Sequence, residues 1–190
     1  MATTTPKKGT EKATIDCNMI VVTTEEDTPR SVAITSGTKL AVEPQTETTE
    51  AVKLIIKGVL KAQKKETQTI TGHTITLTDN LTILELIEIL QGGTIVKDEA
   101  TGKITSYTPP VSGAAYTPIP FTLDVYTAVM EGANIVNYEK TSYPGCTGVP
   151  IGLNSEDDVF RANEYTINSA PADGQAPYTI TYVDALPTVA

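Results

Sequence analysis

A chain of 190 residues with a net charge of −9 is long enough for one domain that buries roughly 70% of its unfolded surface. The acidic balance opposes tight nucleic-acid binding, which needs a cationic excess to displace counterions. The first residues lack the apolar core of a signal peptide, and no run reaches the roughly 18 apolar residues of a membrane helix, so synthesis and folding are expected in the cytoplasm.

Cys17 and Cys146 are too few and too far apart for a disulfide framework and read as free thiols. Abundant Thr, Val and Ile, with Phe only twice and no Trp, point to a mainly β chain. Residues 1–13, rich in Thr and Lys, read as a flexible N-terminal arm, and residues 14–190 as a single β-rich domain. The first predicted strand is 14–24, around Ile20, Val21 and Val22. A turn at 25–29 leads to short strand candidates at 31–35 and 39–42. Residues 43–50, EPQTETTE, are polar. Glu43, Pro44, Gln45, Thr46 and Glu47 are expected in an exposed loop or at the tip of a long hairpin, which reaches a neighbouring subunit and orders on assembly. In residues 52–62, Val52, Leu54, Ile56, Leu60 and Ala62 alternate with Lys53, Lys57 and Lys61. The lysines are also spaced for a helix, but Gly58 and the β-branched Val52, Ile55, Ile56 and Val59 favour a strand, with a turn at 64–66.

Residues 75–93 organise the chain. Ile75 and Leu77 alternate with Thr74, Thr76 and Thr78, the pattern of a half-buried strand. Thr82 followed by Glu85 reads as a capping box, with Leu81 and Leu86 as its hydrophobic staple. Glu85, Glu88 and Gln91 form a polar stripe. Ile83, Leu84, Leu86, Ile87 and Leu90 cover the opposite arc and are the expected core face of the helix. Gly92 and Gly93 stop the helix by taking the left-handed conformation. A helix this short is unstable alone and must dock on a sheet.

Further on, DEATGK at 98–103 has hairpin-turn composition, and the proline-rich residues 108–120 cannot form a central strand. Residues 121–130 are a strong strand with Phe121, Leu123, Val125 and Val129 on one face. Its hairpin partner, 135–143, is expected to end at Pro144-Gly145. Irregular chain to 153 and an acidic turn at 154–158 precede strands at 159–168 and 177–183.

Catalytic chemistry is undersupplied. His73 is the only histidine, so a two-histidine metal site cannot be built, and Gly-His-Thr at a strand entrance reads as exposed and polar rather than catalytic. Glu156-Asp157-Asp158 lacks EF-hand spacing and reads as a solvated turn rather than a calcium site. Gly145-Cys146-Thr147-Gly148 lacks the Lys-Ser/Thr of a phosphate loop. Tyr107, Tyr116, Tyr138, Tyr143, Tyr165, Tyr178 and Tyr182 suit a protein interface better than a stacking platform for acidic strands. The chain therefore reads as a non-enzyme with no catalytic, cofactor or metal residues.

Three stretches resemble the major tail, or tail tube, proteins of long-tailed bacteriophages and related phage-tail-like particles: KLAVEPQTETTEAVKLIIKGVLKAQKK at 39–65, the TGHTITLTDN strand and short helix closed by LQGG at 71–93, and VFRANEYTINSAP to PYTITYVDALP within 158–187. Together they cover nearly half the chain. The resemblance implies a β-sandwich or barrel-like fold with one short flanking helix and long loops. It implies subunits that join in hexameric rings, stacked into a hollow tube that conducts DNA on ejection. The implied partners are other copies of the chain and the tape-measure, tail-terminator and baseplate or tail-tip proteins. DNA would pass an acidic lumen unbound, no membrane would be involved, and the location would be the virion tail, built in the host bacterial cytoplasm. Two other readings stay open: another phage structural protein, such as a head decoration or tail-associated subunit, and a β-sandwich adhesin or carbohydrate-binding module. At −9 per chain, added salt is expected to weaken assembly little or to promote it.

Overall fold

The computed structural model describes residues 11–189. Residues 1–10 of the predicted arm lie outside the described residues, and its last residue, Ala13, already belongs to the first strand. The elements in order are β1 (Ala13–Thr24), β2 (Ser31–Ile34), β3 (Gly37–Thr49), β4 (Val52–Ile56), β5 (Val59–Lys64), β6 (Thr67–Asp79), α1 (Leu84–Gln91), β7 (Thr94–Lys97), β8 (Ile104–Thr108), β9 (Phe121–Glu131), β10 (Asn134–Gly148), β11 (Asn163–Ser169) and β12 (Thr179–Val183). The fold is mainly β with one short helix.

An eight-stranded antiparallel sheet runs β2-β1-β9-β10-β11-β6-β3, with β12 added alongside β10. Its centre is the β9–β10 hairpin, joined through Gly132-Ala133 with Gly132 at φ +63°. A glycine with positive φ at the first turn position matches the right-handed twist of the flanking strands. β10 does not end at Pro144-Gly145 as expected. A bulge separates Tyr143 from Cys146, Gly145 takes φ +60°, and the strand continues to Gly148. Across that bulge β10 exchanges β12 for β11 as its second neighbour. A bulge bends its strand, and β1 has a comparable irregularity near Asp16, where Asn18 Oδ1 accepts the Ala128 amide at 2.9 Å.

The sheet curls around one core. Ile20, Val22, Ile34, Ile75, Leu77, Phe121, Leu123, Tyr165 and Ile167 all point into it. Gly37, at the start of β3, lies so close to β6 and β1 that an added Cβ would sit 3.1 Å from Leu77 and 3.8 Å from Ile20. The sheet is nevertheless not closed into a barrel. β2 pairs only with β1 and β3 only with β6, so both ends remain edges.

Helix α1 seals the core. Leu86, Ile87, Ile89 and Leu90 are buried, while Ile83 and Leu84 are partly buried against the same cluster. Ile89, 1% exposed, was not in the expected apolar arc. The capping box is corrected: the N-cap is Ile83 in extended conformation, with no side-chain cap hydrogen bond. Thr82 Oγ1 instead accepts a hydrogen bond from Asn163 Nδ2 at 3.0 Å, and Glu85 lies 4.0 Å from Lys97. The staple is corrected too, since Leu81 is 60% exposed. Gly92 closes the helix as expected by position, and its amide donates to Glu88 O at 2.8 Å. Its φ of +77° comes with ψ of −164°, an extended mirror-image conformation rather than a left-handed helical turn.

The polar stripe of α1 is spent on its neighbours. Glu88 accepts from Arg30 Nη1 at 2.8 Å. Gln91 donates to Tyr107 Oη at 2.9 Å and accepts from the Ile151 amide at 3.0 Å, and Tyr107 Oη donates to Gly92 O at 2.6 Å. Gly148 allows the helix to approach β10, because a Cβ there would lie 2.4 Å from Leu90 Cα.

Candidate interaction surface

The most unusual feature is a single long hairpin. β3 pairs with β6 as far as Thr49 opposite Thr67, and the same register resumes in β4 and β5 with Val52 opposite Lys64. The strands finally turn at Lys57-Gly58, between the paired Ile56 and Val59. Both turn residues have positive φ, +49° and +78°, as a two-residue hairpin turn of this twist requires. Residues 52–62 are therefore two strands and a turn, not the one strand expected. The turn expected at 64–66 is not made: Lys64 still belongs to β5, and residues 65–66 interrupt the hairpin without reversing it.

The arm leaves the body at a defined point. A bulge separates the pairs Gln45–Gly72 and Thr46–Ile70, with Thr71 as the extra residue. Thr71 Oγ1 donates to Gln45 O at 3.3 Å, and Gln45 Nε2 to Thr74 Oγ1 at 2.7 Å. Immediately below it, Gly72 passes the backbone of β11 so closely that a Cβ would lie 2.0 Å from Ser169 O. Beyond it, every residue from 43 to 71 is exposed. From Gln45 to Ile56 the arm extends at most about 40 Å.

Glu43, Pro44, Gln45, Thr46 and Glu47, expected in a loop or at a hairpin tip, lie in strand β3 at the root of this arm. The loop reading is corrected. Pro44 is tolerated because β3 is an edge strand, where a missing amide breaks no second ladder.

The outer half of the arm is apolar and basic. Val52, Leu54, Ile55, Ile56, Val59 and Leu60 are between 48% and 64% exposed. Alternation places Val52, Leu54, Ile56, Val59 and Ala62 on one face. Residues 51–65 hold five lysines and no acidic residue, a charge of +5, so the remainder of a chain at −9 carries −14.

The other candidate residues are dispersed. His73 is buried, not exposed, against Tyr143 and Tyr178. Of the tyrosines expected at an interface, Tyr143 and Tyr165 are core residues and Tyr107 braces α1, whereas Tyr116, Tyr178 and Tyr182 are 41–47% exposed. Val159 and Phe160 lie in an irregular loop rather than a strand, with Phe160 94% exposed. Cys17 and Cys146 are free thiols. Among the described residues no three His, Cys, Asp or Glu side chains are grouped to hold a metal ion, and no helix is long and apolar enough to cross a membrane.

No protein-family model matches the chain, and no curated protein matches it.

Proposed function

We propose that the chain is a structural subunit that self-assembles through its hairpin arm, and that the assembly is a phage-type tail tube of stacked, hexameric rings. One observation carries the reading. Six large apolar side chains stand exposed together on one protrusion, where isolated apolar residues on a soluble surface need no explanation but a contiguous set marks a contact. Two open sheet edges add further pairing capacity. The choice of a tube rests on the sequence resemblance at 39–65, 71–93 and 158–187, and the −14 remainder suits a lumen that lets DNA pass without holding it.

Sedimentation and negative-stain microscopy across protein concentration test this. Rings or tubes are expected, and Leu54→Asp with Ile56→Asp is expected to leave monomers. A wild-type chain that stays monomeric at high concentration, with and without tail partners, overturns the proposal.

A further inference from the structure

An apolar, basic arm requires a receptor, and the body contains a groove of matching character. The groove, about 1160 Å³, lies between β2, α1, β7 and the C-terminal residues Pro187, Thr188 and Val189. Val32 and Ala33 of β2, Ile83 ahead of α1 and Ile95 of β7 supply apolar lining, and Glu85 and Glu88 supply carboxylates. β2 is an edge strand of four residues paired with β1 alone, so one side of it is open to another strand. The two cations near the groove are engaged. Both belong to the lining: Arg30 reaches Glu88 at 2.8 Å and Glu26, beside the groove, at 3.3 Å, and Lys97 lies 4.0 Å from Glu85, so the lining itself is balanced and the acidic excess comes from the body around it.

We propose that this groove receives the hairpin arm of a second copy of the chain. The apolar face of Val52, Leu54, Ile56 and Val59 then covers Val32, Ile83 and Ile95, with Lys57 at the turn and Lys64, the partner of Val52 on that face, beside Glu85 and Glu88. The inference rests on the self-assembly reading and gives it an address. Charge selects the occupant. An anionic membrane would attract the +5 outer half of the arm but repel the −14 remainder, whereas the body of a second copy carries a net charge opposite to that outer half. The contact joins two different patches, so each copy keeps a free arm or a free groove and the contact propagates into a ring or a chain.

Two variants mixed in a Cys17→Ser background test the address: one carries Ile56→Cys on the arm, the other Glu85→Cys at the groove. Ile56 is exposed and the Glu85 side chain is 41% exposed, so folding is retained. Cys146 is buried, with its thiol pushed up to about 12, and does not compete. Mild oxidation is expected to give about tenfold more mixed dimer than a control in which Ile180→Cys, exposed on β12, replaces the groove variant. Adding Lys57→Glu and Lys64→Glu to the arm variant is expected to abolish the excess. A wild-type chain that assembles while the groove and control pairs cross-link equally overturns this address and leaves self-assembly standing. A wild-type chain that stays monomeric overturns both. Arm-dependent binding to vesicles of equal phosphatidylcholine and phosphatidylserine, without the cross-link, overturns the second-copy occupant in favour of a membrane.

Discussion

His73 is 5% exposed, with its ring edge-on to Tyr143 at 5.4 Å and to Tyr178 at 5.5 Å, and its Nδ1 has no hydrogen-bond partner. Burial lowers its pKa below the ordinary 6.5, because the charged ring loses its water. The unfolded chain therefore binds the proton more readily than the folded one. The resulting stability is complete above the unfolded value and is lost as pH falls through it toward the folded value. The urea midpoint is expected to drop as pH falls below about 6.5, and His73→Gln to flatten that segment; an unchanged pH profile in the variant would contradict the assignment. Cysteine chemistry gives a second measurement. The buried Cys146 thiol, at about 12, is expected to resist alkylation until the protein unfolds, while the half-buried Cys17, raised by burial to a smaller degree, reacts slowly in the native state. Mass spectrometry after labelling with and without urea reads both sites, and rapid native labelling of Cys146 would mean that β10 opens.

At the scale of elements, α1 behaves as a core plug. Leu86 is 0% exposed, so Leu86→Ala is expected to cost about 2–5 kcal/mol by urea denaturation. A loss below about 1 kcal/mol would make the helix peripheral. Gly148→Ala is expected to displace the helix because the new methyl meets Leu90 backbone, which near-ultraviolet dichroism of Tyr107 and Tyr165 would report. This helix and the strand before it were legible in the sequence because each buries one face, and a single buried face writes a periodicity. The helix entry was misread because its polar groups are satisfied from far away: Asn163, 81 positions along the chain, takes the Thr82 hydroxyl that local spacing assigned to a cap. Ile89 was missed because its neighbour Glu88 turns aside to Arg30 instead of facing open water. The arm was half legible. Its alternation suggested a strand, but with no buried face nothing in the pattern required a break, and only the Lys57-Gly58 turn divides it. A two-stranded hairpin without a covering layer is marginally stable. Amides of β4 and β5 are expected to exchange quickly in the monomer and slowly in the assembly, and equal exchange in the two states would remove the arm from the contact.

At the scale of the whole molecule, the distribution of charge decides more than its total. A uniform −9 would make copies repel, and salt would then aid assembly by screening. The charge is not uniform: +5 on residues 51–65 stands against −14 elsewhere. Two copies meeting arm to groove bring opposite charges together, while body-to-body approach remains repulsive, so the same asymmetry both attracts and orients. Screening weakens the first effect within a Debye length of about 10 Å at 0.1 M salt, and the lysines of the arm act inside that range. The apolar face does not respond in this way, because burial of hydrocarbon is not screened. Raising salt from about 0.05 to 0.5 M is therefore expected to slow association while leaving preformed assemblies largely intact, the opposite of the behaviour the net charge alone implies. Light scattering after dilution into each salt concentration separates the two. Association that quickens with salt in the wild type, and equally in Lys57→Glu with Lys64→Glu, would mean that net repulsion governs encounter and that the arm lysines have no part in it.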